Sequence, residues 1–395
     1  MSHSDKKRKQ EETDSNPNKR GKYSTRAPVI HLVNIPKSLQ QSCCNSDNDD
    51  DDDDYTDEEE YIEENEEILE REEIMIPDHL KKIETIDQLI ELGSLYNKNK
   101  YWKGSIDLRR LHKLIEPLTK LKKMIGMESI KKAIIDFILF YLQDLDGGKN
   151  KDYMHTVLEG PPGCGKTEIG RILAELYFGM EITKRNYFRV VKRHDLIGQY
   201  LGQTAPRTQK VVDDCMGGVM FIDEAYSLGN PEGRDIFSKE CLDTLNQNLS
   251  EHKNKFICII AGYKDALKHS FFSMNEGLLS RFPIRFEVDP YKGNELFHIF
   301  KKIVREQNWD FDQEDTLSDE FFVKHEKDFP YFGRDMEVLF QKTKIAHAKR
   351  IYSLPIEFRR KIQYGDIIEG FSLYEKMHKD RSKSGETKPP DGLYL

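Results

Sequence analysis

The chain has 395 residues, 37% apolar and 33% charged, with 25 Gly, 15 Pro and 6 Cys. That length exceeds one compact domain, and the composition excludes collagen-like, disulfide-dense and membrane-spanning classes. The net charge of −9 is unevenly placed: residues 1–26 hold eight basic against four acidic side chains, residues 47–73 hold eighteen acids and one Arg, and residues 74–395 carry +3. The acidity therefore says nothing about a partner for the folded part.

In chain order, residues 1–75 run from a basic head through a Ser/Asn/Asp tract into an acidic block, and are expected to be disordered. The stretch Tyr61 to Ile74 has the composition of a frayed acidic helix. No apolar leader follows the start, and the longest apolar run, Ala133 to Leu142, contains Asp136. About 20 residues are needed to span a bilayer, so an intracellular, soluble chain without membrane contact is expected. Cys43, Cys44, Cys164, Cys215, Cys241 and Cys258 form no CxxC pair and read as scattered reduced thiols.

Helical periodicity begins near Ile76. Leu80, Ile83, Ile86, Leu89, Ile90 and Leu92 predict a helix stopped by Gly93, and Leu108 to Leu121 a second, broken at Pro117. Residues 76–123 read as a small helical adaptor. From 124 to 290 the pattern alternates. Strands are predicted at His155–Leu158, Phe188–Val191, Val219–Ile222, Phe256–Ala261 and Ile284–Val288, and helices at Lys166–Tyr177, Pro206–Cys215 and Ile236–Ser250. Such alternation predicts an α/β unit with a parallel sheet covered on both faces. After Pro290 no further strand is predicted; helices over 294–308, 317–327 and 333–352 suggest a helical lid across 291–380, followed by a flexible tail, 381–395.

Chemistry concentrates in two motifs. Gly160-Pro161-Pro162-Gly163-Cys164-Gly165-Lys166-Thr167 follows apolar Val157 and Leu158 and precedes a helical run. Glycines let backbone amides turn toward a polyphosphate at a helix N-terminus, which predicts ATP as ligand. Lys166 is expected at the β- and γ-phosphates and the Thr167 hydroxyl on Mg2+. About 50 residues later, Val219-Met-Phe-Ile222 ends in Asp223-Glu224. At the carboxyl end of a parallel strand, Asp223 is placed to hold Mg2+ and Glu224 to polarise the attacking water.

GPPGCGKT, VMFIDEAYSL and GLLSRF, in this order and spacing, resemble an AAA+ ATPase. DLIGQYLGQTAPRTQKVV, followed by GGVMFIDEAYSL and IIAGYKD, is similar to the CbxX/CfxQ branch, which includes red-type Rubisco activases and SpoVK-like proteins. The likeness spans about residues 120–375. It implies a P-loop αβα domain, a C-terminal helical lid, and a homo-hexameric ring that hydrolyses ATP to remodel a protein client. It also implies roles for further residues: Ile125 and Gly126 at the adenine, Arg281 as an arginine finger reaching a neighbour's γ-phosphate, and Arg334 as a lid contact to the phosphates. Tyr200, Leu201 and Gly202 would form the aromatic pore loop that grips the client. The end of the fourth strand departs from many AAA+ proteins, which place Asn or Thr there; here the run is Ile260-Ala261-Gly262-Tyr263.

Two other readings use the same ATPase core: a nucleic-acid loader or helicase, and an ATP-dependent scaffold. Nucleic acid finds little support in a folded part near neutral charge and without a second binding module. The paired basic clusters of KKRKQEETDSNPNKRGK read either as a two-part nuclear signal, placing the chain in the nucleus rather than the cytoplasm, or as a solubilising arm. The lid run Lys342, Lys344, Lys349 and Arg350 reads as a solvated helix face.

Overall fold

The computed structural model describes residues 72–145, 152–229, 235–312 and 318–383. The basic head, the acidic block up to residue 71 and the tail beyond 383 lie outside the described residues.

Five strands form one parallel sheet: β1 Thr156–Glu159, β2 Phe188–Val191, β3 Val219–Ile222, β4 Ile257–Gly262 and β5 Ile284–Glu287, in the order β2-β3-β4-β1-β5. Each predicted strand is present within one residue at either end. Successive side chains of a strand face opposite sides, and burial follows that rule. Leu158, Phe221, Ile259 and Phe286 enter one apolar cluster, whereas Val157, Met220, Ile222, Cys258 and Ile260 enter the other. Both faces are covered, which explains why β3 and β4 read as continuous apolar runs.

The residues before the sheet form α1 (Ile86–Ser94), α2 (Leu108–Lys113), α3 (Ile115–Lys122) and α4 (Glu128–Tyr141). Three details differ from the sequence expectation. Helix α1 starts at Ile86, because the Thr85 side chain accepts from the Gln88 amide while the Gln88 side chain accepts from the Thr85 amide, a capping box that fixes the start. Gly93 lies inside α1 rather than ending it. Pro117 does not break the second segment: the division falls at Leu114, and Pro117 sits in the first turn of α3, where no intrahelical donor is lost. Leu111, Leu114, Leu118 and Leu121 are fully buried in the same cluster as Ile169, Leu173 and Leu176. Residues 76–123 thus share the main core.

Between and after the strands lie α5 (Lys166–Gly179), α6 (Thr204–Asp214), α7 (Ile236–Glu251) and α8 (Glu276–Arg281). The lid comprises α9 (Gly293–Glu306), α10 (Glu320–Lys324), α11 (Gly333–Ile351) and α12 (Tyr364–Lys383). It also holds a two-residue parallel pair, β6 (Asp310–Phe311) with β7 (Lys361–Ile362), so strands do not stop at Pro290. The pair is too short to show alternation in sequence, yet it buries Phe311 and Ile362. Arg350 is not a purely solvated residue either. Its guanidinium meets buried Asp366 at 2.9 and 3.0 Å, and His347 Nδ1 lies 3.0 Å from the same carboxylate, tying α11 to α12. No helix among the described residues is long and apolar enough to cross a membrane.

Candidate active site

The strand order sets the site. β3, β4 and β1 are neighbours, so the residues that leave their carboxyl ends converge on one edge, where ligands of parallel sheets bind. From β1 the chain turns through Gly160–Gly165 into α5. The Gly160 amide donates to the Gly262 carbonyl at 3.1 Å, anchoring the loop to the end of β4. Gly163 has φ +72°, and a Cβ there would lie 2.1 Å from the Tyr331 carbonyl oxygen. Only glycine fits at that point: the backbone is left-handed and the lid chain entering α11 presses on it. Gly333 N donates to Gly163 O at 3.2 Å, closing the contact.

Lys166, the first residue of α5, donates from Nζ to the carbonyls of Gly160 at 3.0 Å and Pro161 at 2.6 Å. Burial lowers its pKa, and the Arg334 charge acts in the same direction, while Cys164, Asp223 and Glu224 oppose both. Cys164 is buried, donates to Pro161 O, and has its thiol pKa raised by burial. It braces the loop from below. Thr167 Oγ1 donates to Asp223 Oδ2 at 3.2 Å, bringing the hydroxyl of α5 to the carboxylate that ends β3. Asp223 Oδ1 accepts from the Glu224 amide at 3.0 Å. Glu224 itself has φ 51° and ψ 46°, a left-handed turn costing about 1–2 kcal/mol in a residue with a Cβ. That turn places Glu224 in the wall of the cavity that also holds Lys166 and Thr167.

The cavity measures about 580 Å³. Its polar end comprises Pro162, Gly163, Gly165, Lys166, Thr167, Asp223 and Glu224. Its other end is lined by Met124 and Ile125 before α4, Ile172 of α5, and Ile299 and Ile303 of α9. One end suits a polyphosphate and the other a flat apolar base. Arg334, at the start of α11, lines it from the lid. Gly126 takes φ +64° beside Glu295 and turns the chain behind Ile125.

Two predicted groups lie outside this cavity. Arg281, the last residue of α8, donates from Nε to Ser250 Oγ at 2.6 Å and from Nη1 to Gly277 O, near the end of α7. Tyr200 and Leu201 are 68% and 75% exposed, and a Cβ on Gly202 would meet nothing within 4 Å. Other cavity residues carried no signal in the sequence as read. Tyr226 follows Glu224 closely, and Ile299 and Ile303 are four apart on α9, a spacing that places both on one helix face. An i, i+4 pair of isoleucines is ordinary core patterning, so only the fold distinguishes it.

The profile described as "ATPase family associated with various cellular activities (AAA)" matches residues 156–290, which run from β1 past the end of β5. A cfxQ-like protein of Acanthamoeba polyphaga mimivirus is 42% identical over 315 residues, covering 78% of this chain and 77% of its own length. The chain belongs to the CbxX/CfxQ family of AAA+ ATPases. Within that family, stage V sporulation protein K of Bacillus subtilis is 34% identical over 211 residues, covering 51% of this chain and 64% of the relative. The chloroplastic ribulose bisphosphate carboxylase/oxygenase activase of Cyanidioschyzon merolae is 30% identical over 241 residues, 59% of this chain and 82% of the relative. The αβα sheet with its helical lid is thus an AAA+ fold, and this CbxX/CfxQ chain binds nucleotide and hydrolyses ATP.

Proposed function

We propose that the chain is a ring-forming motor that uses ATP hydrolysis to rearrange a protein client. The observation that carries this reading is the division of labour on its surface. The phosphate-facing residues converge in one cavity, while Tyr200 and Leu201 project into solvent from a separate loop with no part in that chemistry. An exposed aromatic next to an unhindered glycine can pack on many peptide sequences.

In the cavity, Lys166 leaves the loop carbonyls to donate to the β- and γ-phosphate oxygens. Glu224 orients a water and takes its proton as the water oxygen bonds to the γ-phosphorus and the bond to the β–γ bridging oxygen breaks. Thr167 and Asp223 offer an all-oxygen donor pair suited to Mg2+, which, when bound, neutralises charge on the β- and γ-phosphates. Arg281 lies outside its own cavity, as a residue acting on a neighbour's γ-phosphate must. Arg334 couples the lid to the phosphate end. In this reading the client is a protein, and the basic head would serve as a two-part nuclear signal.

Mixing two inactive variants tests both the ring and the motor. Arg281→Ala lowers kcat by about 10³-fold or more, the lower range for arginine fingers, and Glu224→Gln binds ATP without turning it over. Mixed rings contain sites with both groups intact and regain activity. Mixtures that form rings yet stay inactive at every ratio contradict a shared site. Stimulation of the wild-type ATPase by single-stranded DNA, with none by unfolded protein, would favour a nucleic-acid machine instead.

A further inference from the structure

Besides the two loop carbonyls and the Cys164 sulfur at 3.9 Å, Lys166 has a neighbour that the phosphate-loop motif does not supply. Its Nζ stands 5.4 Å from the centroid of the Tyr263 ring, within the range at which an ammonium is attracted to an aromatic face. The register of the sheet creates this contact. Glu159 pairs with Gly262 across β1 and β4, so the residue after Gly262 emerges beside Gly160 and Pro161, whose carbonyls hold the same ammonium.

Tyr263 is braced in turn. Its ring stacks on Tyr226 with centroids 5.3 Å apart and planes 24° apart. Tyr226 lies two residues after Glu224, in the helical turn Ala225–Leu228, and both rings line the nucleotide cavity. A Cβ at Gly262 would lie 3.0 Å from both Tyr226 Cδ1 and Leu267 Cγ, so the glycine leaves room beside the stack.

We propose that Tyr263, backed by Tyr226, is a positioning residue that acts through the face of its ring rather than through its hydroxyl. It keeps contact with the charged Lys166 ammonium as that group turns onto the nucleotide phosphates, where loss of water around the cation strengthens the attraction. The inference rests on the ATPase activity of the family, so wild-type turnover is measured first and serves as its independent control.

The test compares three changes at position 263. Tyr263→Leu removes the ring at similar bulk and raises KM for ATP by about 5- to 30-fold, the equivalent of a buried cation–ring contact, with kcat changed less than about threefold. Tyr263→Phe keeps the ring and returns KM to within about twofold of wild type. Fluorinated phenylalanines at the same position keep the shape while draining charge from the ring face, and KM rises with each added fluorine; this series stands even where the leucine variant folds poorly. In a Lys166→Met background, removing the ring produces no further loss of nucleotide affinity. The proposal is overturned by a Tyr263→Phe variant as weak as Tyr263→Leu, by a flat fluorine series, or by full additivity with Lys166→Met.

Discussion

The phosphate loop and the Tyr200 loop both follow parallel strands and both contain a left-handed glycine, yet their surroundings are opposite. Around Gly163 the lid backbone approaches so closely that a single added carbon would clash, and Lys166, Cys164 and Thr167 each have defined partners. Around Gly202, at φ +79°, nothing lies within 4 Å, and two large apolar side chains face solvent. Chemistry needs groups fixed before the reaction begins, because misplacement costs rate. Gripping an unspecified chain needs the reverse, contact area that is not already committed. In the proposed motor, the difference between the loops separates the two tasks.

The largest effect expected in the fixed region comes from Glu224→Gln. Removing a general base lowers turnover by about 10²- to 10⁴-fold, while nucleotide binding persists because Lys166 and the loop amides are untouched. Single-turnover hydrolysis beside a nucleotide-binding titration checks both halves, and wild-type turnover by the variant would break the assignment.

The fixed region extends to the other end of β1. His155 is fully buried, accepts from the Cys258 amide at Nδ1 and has Nε2 3.4 Å from Leu249 O, an arrangement for a neutral ring. Burial, aided by Arg281 and Lys253, lowers its pKa from 6.5 to about 4. Between those values the unfolded chain binds the proton and the folded chain does not, so stability rises with pH through this window. It is lost as pH falls from 6.5 toward 4, by about 3 kcal/mol from this group. Denaturant unfolding at pH 7 and 4.5 measures it, and a His155→Gln variant should show a shallower pH dependence.

Substituting Gly163 and Gly202 sharpens the comparison further. Gly202→Ala meets only the backbone cost, about 1 kcal/mol. Gly163→Ala adds a collision with Tyr331 O and is expected to destabilise by a further ~1–3 kcal/mol, as overpacking does, and to weaken ATP binding. Equal losses for both variants in thermal unfolding would mean that the lid does not press on the phosphate loop.

How much of this was legible in the sequence follows from how local each feature is. The phosphate loop and the Asp223-Glu224 pair are contiguous strings beside strong apolar runs, so residue types and order alone announced them. Strands β3 and β4 were readable because both of their faces are buried, and β5 because buried Phe286 alternates with exposed Arg285 and Glu287. The division at Leu114 and the start of α1 were missed because one is set by packing and the other by a Thr85–Gln88 exchange that competes with a plausible apolar stripe. The β6–β7 pair joins segments 50 residues apart and is too short to impose a pattern. Tyr263 closes the run that departs from many AAA+ proteins, and its contact with Lys166 requires β4 to lie beside β1, which strand order alone decides. Arg350 read as solvated because its partner Asp366 comes from the next helix.

The most direct test of the separation between fixed chemistry and free grip is Tyr200→Ala, with thermal unfolding and basal ATPase rate measured on one preparation. A side chain 68% exposed leaves no cavity when truncated, so the melting temperature should move by no more than about 0.5 kcal/mol of stability allows, and basal hydrolysis should stay at the wild-type rate while stimulation by an unfolded protein disappears. A buried aromatic would instead lose about 3–5 kcal/mol. A marked fall in melting temperature together with lost basal activity would contradict the account.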